Sequence, residues 1–200
     1  MSSSLIHRAI LIGSGDREHP LDTVVSNRFY MVRDTGTTSG ITESSLYDAT
    51  NNDVQSAVAA TASSATTALT AANGWYITLA SGEKTVGGAV TVGGGTYFAT
   101  NKPSASTPGQ CSNLGLAYYY GVNFENGAAL SDSNENGVTN KEDRITGTSV
   151  GLAPSPIGIS VEIGGKTYET VCMGTHCVDK LPSAKVGQRY RVYWHLELDK

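Results

Sequence analysis

Short apolar runs, many alternating with polar residues, recur along most of the chain and end at glycine or at Asp/Asn turns. Residues 8–12 stop at Gly13-Ser-Gly15, and residues 27–33 alternate until Asp34-Thr-Gly36. Residues 74–79 reach a turn at Ser81-Gly82. Residues 84–92 and 96–100 flank Gly93-Gly-Gly95, while 157–163 and 166–172 flank Gly164-Gly165, a strong two-residue hairpin signal. Residues 116–124 carry Tyr118-Tyr-Tyr120. Residues 189–198 set Tyr190, Val192, Trp194, Leu196 and Leu198 on one face. The pattern predicts roughly nine or ten short strands in an all-β, mostly antiparallel fold.

Residues 53–72 break it. Val54, Val58, Ala62, Ala65 and Leu69 return at three- and four-residue spacing in an Ala/Ser/Thr-rich stretch. Asn52 is placed to cap a helix there, with Gln55 three residues on and Asn73-Gly74 as a stop. The expectation is a helical insertion, with a Ser/Thr-rich loop as the alternative. The layouts of residues 9–34 and 89–127 resemble each other, as propeller blades of about 40–50 residues do. At that period the chain holds about two and a half to three blades, fewer than the four a ring needs.

Composition narrows the class. The 200 residues suit one domain or fragment; with net charge -4, 16% charged residues and 23 glycines they fit a turn-rich β protein outside the cytoplasm. An acidic balance argues against nucleic acid as a partner, and no apolar run reaches the length of a membrane span. Residues 1–12 lack the basic and apolar regions of a secretory signal. Either the chain is cytoplasmic or its export signal lies elsewhere. Cys172 and Cys177 are spaced to close a small disulfide loop. A zinc site would need two more soft ligands, for which only Cys111 and His176 offer themselves. Cys111 is otherwise buried or paired with another chain.

The stretch with most chemistry is residues 132–143. Asp132, Asn134, Asn136, Val138, Asn140 and Asp143 occupy positions 1, 3, 5, 7, 9 and 12 of a calcium loop, with Gly137 at position 6. Alternate oxygen side chains and the residue-7 carbonyl converge on a hard cation, and the last carboxylate closes the sphere. With Asp132 and Asp143 as the charged ligands, affinity for Ca2+ is expected in the micromolar to millimolar range. An Asn/Gly-rich surface turn is the plain alternative. Asp16, Glu18 and His19 suggest acid–base chemistry, but with no second cluster they read as a charged turn in which Arg17 pairs with Asp16, Glu18 or Asp34. Tyr118–Tyr120 reads as core rings, or else as a stacking platform.

The motif Ile10-Leu-Ile-Gly-Ser-Gly-Asp-Arg-Glu-His-Pro-Leu21, followed by Asn27-Arg-Phe-Tyr-Met-Val-Arg-Asp34, resembles the C-terminal β-propeller of the PilY/PilC type IV pilus assembly and tip-adhesin family. Glu43-Ser-Ser-Leu-Tyr-Asp-Ala-Thr50, Gly74-Trp-Tyr-Ile-Thr-Leu79, Gly94-Gly-Thr-Tyr-Phe-Ala-Thr-Asn-Lys-Pro103 and Tyr193-Trp-His-Leu196 are similar to later elements in the same order. Residues 132–144 resemble the family's calcium-type loop, with Asn136 where the family usually carries Asp. The resemblance implies an incomplete propeller of partial blades. It implies a non-enzymatic, calcium-modulated factor at the pilus tip or outer cell surface, exported through the periplasm. Its implied partners are minor pilins, the remaining propeller chain or further copies joined through open strand edges, and a host or surface ligand. A fibre-forming subunit and a fragment of a quinoprotein-like propeller enzyme are the other readings.

Overall fold

A computed structural model describes residues 8–34, 36, 40–104 and 115–178. Cys111 and the expected strand at 189–198 lie outside these residues. The elements run β1 (Arg8–Gly13), β2 (Arg28–Asp34), β3 (Tyr47–Asp48), α1 (Ala59–Ala71), β4 (Gly74–Thr78), β5 (Lys84–Val92), β6 (Gly95–Lys102) and β7 (Leu116–Asn123). They continue with β8 (Ile145–Val150), β9 (Ile157–Ile163), β10 (Lys166–Met173) and β11 (His176–Cys177). Among the described residues the fold is all-β with one α-helix. Every strand pair is antiparallel except β3 with β4.

Three sheets form, in the orders β1-β2-β4-β3, β5-β6-β7-β8 and β11-β10-β9. The middle one is an up-and-down meander, and both of its faces are buried. One face packs Phe98, Tyr120 and Val122 against Phe29, Met31, Trp75 and Ile77 of the first sheet. The other packs Tyr97, Ala99, Ala117 and Tyr119 against Val171 and Met173 of the third. The tyrosine run therefore serves the core, with Tyr119 on one face and Tyr120 on the other. A ring stack crosses the first interface: Phe29 and Phe98 centroids lie 3.7 Å apart at 2°, and Phe98 and Tyr120 4.8 Å apart at 7°. The three stacked sheets close no barrel or ring among the described residues.

The sheets meet through β1, β5 and β9. Thr85 N–H donates to the Ser14 carbonyl at 3.0 Å. A Cβ at Gly13 would stand 2.3 Å from Thr85 Cβ, so only glycine permits this approach. Gly87 lies against Ser155, and Gly158 against Val92 and Val90. Both expected hairpins form, with register Val92↔Gly95 across Gly93-Gly94 and Lys166↔Ile163 across Gly164-Gly165.

The helical insertion exists but begins later than its spacing predicts. Asn52 is left-handed (φ 63), residues Asp53–Gln55 make a single 3-10 turn, and Val58 precedes the helix without a side-chain cap. Asn52 Nδ2 donates instead to Gln55 Oε1 at 2.7 Å, and Gln55 Nε2 to the Ala129 carbonyl at 3.1 Å. The two side chains suited to a capping box are used elsewhere. Ala65 and Leu69 are buried, while Thr66, Thr67 and Thr70 donate their hydroxyls to carbonyls four residues back. Arg33 Nη1 donates to the Ala72 carbonyl at 3.1 Å, placing a cation at the helix C-terminus.

Phe98→Ala removes the middle ring of the stack and is expected to cost about 3–5 kcal/mol. That corresponds to a melting-temperature drop of roughly 6–20 °C at this chain length. Val24→Ala, at a side chain 89% exposed, is expected within about 0.5 kcal/mol of wild type. Calorimetry of both variants checks the pair.

Candidate metal centre

The calcium-type loop lies in the long β7–β8 connection, a length usually reserved for functional or disordered segments. Both ends of the connection are tied down. Trp75 Nε1 donates to the Phe124 carbonyl at 3.1 Å, and Gln55 holds the Ala129 carbonyl. At the far end Arg144, 2% exposed, donates Nη1 to the Thr50 carbonyl at 2.8 Å and Nη2 to the Ala49 carbonyl. The segment ahead of α1 thus grips the loop from both sides.

Within the loop the side-chain oxygens turn onto its own backbone amides. Asp132 Oδ1 accepts from Asn136 N–H at 3.2 Å and Oδ2 from Gly137 N–H at 2.6 Å. Asn134 Oδ1 accepts from Asn136 N–H at 3.1 Å, and Asn136 Oδ1 from Val138 N–H at 2.9 Å. Left-handed backbone at Glu135 (φ 57) and Gly137 (φ 83) makes this curl. The second is the position where a calcium loop requires glycine. Asn140 Oδ1 accepts from Glu142 N–H at 2.8 Å and opens the 3-10 turn Lys141–Arg144.

Asp143, 1% exposed, has a different role from Asp132. Its Oδ1 accepts from Ser133 N–H at 3.0 Å and Asn134 N–H at 3.3 Å, and its Oδ2 from Asn140 N–H at 2.8 Å. It fastens the start of the loop to its end. Asp132, Asn134, Asn136 and Asn140 therefore each turn a side-chain oxygen onto a nearby backbone amide, with Asp143 as the hub of the loop. Donors that are all oxygen suit a hard cation. Each amide N–H uses one lone pair of an acceptor oxygen, so Asp132 and Asn136 keep others. Oδ2 of Asp143 keeps one as well. A cation held here would use Asp132, Asn134, Asn136, the Val138 carbonyl, Asn140 and Oδ2 of Asp143, whose Oδ1 braces the loop. Among the described residues no three His, Cys, Asp or Glu side chains gather as a metal site.

The other predicted chemistry resolves into structure. His19 Nδ1 lies 2.7 Å from Asp16 Oδ2, so His19 takes the place foreseen for Arg17, and this contact holds the Asp16 carboxyl below its usual range. Lys84, 2% exposed, donates Nζ to the His19 and Asp22 carbonyls at 2.9 and 2.6 Å, fixing the turn. Cys172 and Cys177 face each other across β10 and β11 and form a disulfide with Cα atoms 4.0 Å apart. Between them His176 stacks on Tyr119, with centroids 5.2 Å apart, over Gly147 of β8.

Periodicity gave no warning of one cluster. On the outer face of the first sheet, Arg28 lies over the Tyr76 ring at 5.3 Å and donates to Glu43 at 3.2 Å. Tyr30 donates to the same Glu43 carboxylate at 2.8 Å. Arg28 and Tyr30 share a face at i and i+2, and pairing of Tyr30 with Tyr76 completes the group; alternation in the sequence marks the face but not the partner strand.

The chain matches no protein-family model, and neither curated proteins nor solved structures provide a match.

Burial acts on the groups that join core to loop. It pushes the Tyr97 hydroxyl up to about 12 and the Tyr120 hydroxyl further up, the latter helped by nearby Glu83. Burial also lowers Arg144 to about 10. Between pH 10 and 12 an unfolded chain releases the two tyrosine protons that the folded chain keeps, so stability falls as pH rises. Arg144 opposes this, because the folded state sheds its proton first. Tyr30, Tyr47 and Tyr76 are raised by burial as well, so the tyrosines outweigh Arg144 and stability falls as pH rises. Urea unfolding at pH 9.5 and 11 checks this, and constant or rising stability contradicts it.

Proposed function

We propose that the chain is a non-enzymatic module of a type IV pilus-associated surface protein, acting in pilus assembly and adhesion, and that residues 132–143 bind one Ca2+. The observation that carries the calcium reading is that Asp132, Asn134 and Asn136 oxygens turn onto the loop's own amides, in a loop with left-handed backbone at Gly137. Both ends of that loop are anchored to the core, so a bound cation would stiffen a connection between two strands of the middle sheet. Calcium supplies a fixed positive charge; the chain's own residues bind it and hold the loop.

Support for the surface location is coarser. The Cys172–Cys177 disulfide suits an oxidising compartment, and no helix among the described residues is long and apolar enough to cross a membrane. Three face-to-face sheets, the middle one a four-stranded meander, support the partial-propeller reading. The strand edges of β1 and β9 end their sheets. They favour, as the second reading, a subunit that polymerises through added strands.

One set of proteins tests the proposal. With a dissociation constant near 0.1 mM, 10 mM calcium stabilises wild type by about 2.7 kcal/mol, a shift of roughly 5–10 °C. Asp132→Ala is expected to abolish the shift, and in cells lacking the wild-type chain to leave pili fewer than the wild-type gene restores. An equal melting temperature in calcium and chelator overturns the calcium reading. Unchanged piliation without the chain overturns the pilus reading.

A further inference from the structure

An Asn-Gly pair is chemically labile, because a glycine nitrogen with no Cβ beside it can reach the side-chain carbonyl of the preceding asparagine. The chain holds three such pairs: Asn73-Gly74, Asn126-Gly127 and Asn136-Gly137. The fold shuts two of them. Gly74 is buried at the start of β4, paired with Val32, and the Asn73 carbonyl accepts from Arg33 N–H at 2.8 Å. Gly127 is buried against Trp75, whose ring a Cβ would approach to 2.9 Å. Asn136 and Gly137 are both exposed, and a Cβ at Gly137 would meet nothing within 4 Å.

The partners of the third pair differ as well. Gly137 N–H donates to Asp132 Oδ2 at 2.6 Å, a carboxylate able to take its proton. Val138 N–H donates to Asn136 Oδ1 at 2.9 Å, so a donor meets the charge that develops there when the carbonyl is attacked. Asn126 Oδ1 has the matching donor, Ala128 N–H at 3.0 Å, but Gly127 N–H donates to the neutral Asn123 carbonyl at 2.8 Å. Of the three pairs, Asn136-Gly137 alone combines exposure, a base on the nucleophile and a donor on the electrophile.

We propose that Asn136 is a self-modification site at which the loop turns a neutral side chain into a carboxylate. The Gly137 nitrogen bonds to Asn136 Cγ as its proton passes to Asp132 Oδ2. The Cγ–Nδ2 bond breaks, Asp132 gives the proton to Nδ2, and ammonia leaves behind a five-membered succinimide. Water then opens the ring. Attack at Cγ yields aspartate at position 136, and attack at the main-chain carbonyl carbon yields isoaspartate. The consequence for metal binding rests on the calcium reading above. Aspartate at position 136 adds a charged ligand to Asp132 and Asp143, and a higher ligand charge tightens such a loop.

Peptide mapping by mass spectrometry follows the three pairs in the full chain, held in chelator at neutral pH. Asn136 is expected to convert faster in the folded chain than in urea, whereas Asn73 and Asn126 convert more slowly folded than in urea. Asp132→Asn keeps the shape of the acceptor without its basicity, and is expected to slow Asn136 about tenfold or more in the folded chain. In urea the same variant is expected to convert at the wild-type rate. Conversion at Asn136 no faster than at Asn126, or no faster folded than in urea, overturns the proposal from the wild-type chain alone, whether or not the variant folds. A folded Asp132→Asn chain that converts at the wild-type rate overturns it too. Calcium titration of Asn136→Asp tests the consequence: a dissociation constant about tenfold below wild type is expected, and equal binding overturns it. Binding by neither chain overturns the calcium reading instead, while the conversion measured in chelator is decided without it.

Discussion

Phe29 and Phe98, from different sheets, lie ring on ring at 3.7 Å, and Tyr120 extends the column at 4.8 Å. That column obliges the middle sheet to be apolar toward the first sheet. Tyr97, Ala99 and Tyr119 oblige it to be apolar toward the third. A strand buried on both faces has nowhere to hide polar side chains, yet β6 carries Thr96, Thr100 and Asn101. Each is answered within the fold. Thr96 bonds Thr91, Thr100 donates to the buried Glu83 carboxylate, and Asn101 donates to the Gly151 carbonyl at 2.9 Å. Leaving such groups unpaired costs about 1–3 kcal/mol each, so this polar lattice is as constrained as the rings around it.

The same constraint reaches the candidate site. Tyr120 is bonded to Glu83 at the core and lies near Arg144 at the end of the loop. Arg144 in turn grips Ala49 and Thr50, just ahead of the helix. Loop, helix approach and core are thus one connected set of contacts. A cation in the loop would act on the middle sheet through Asp143 and Arg144, both buried and adjacent in sequence.

Strand positions were legible where alternation and glycine turns were strong, as in β2, β5 and the two diglycine hairpins. Three strands escaped. β8 reads Ile-Thr-Gly-Thr-Ser-Val, with too few apolar residues to stand out, and its glycine answers to the distant His176 ring. β3 and β11 are two-residue strands fixed by partners, Trp75 and Tyr76 for the first and the Cys172 disulfide for the second. The spacing of the calcium-type loop was legible because its ligands are local. Its anchors were not: Gln55 and Arg144 reach residues 74 and 94 positions away. Lys84 likewise looks like a surface residue until the turn at His19–Asp22 closes over it. Long-range capture of carbonyls by single side chains leaves no periodic trace.

Cooperativity through the doubly covered sheet is the central physical claim, and native-state hydrogen exchange tests it most directly. Amides of β6 and of its neighbour β7 are expected to exchange only through global unfolding, with the highest protection in the chain. Amides near the outer edges of β1 and β9 should exchange sooner. Exchange of β6 amides through a lower-energy opening, while the third sheet stays protected, would contradict the account.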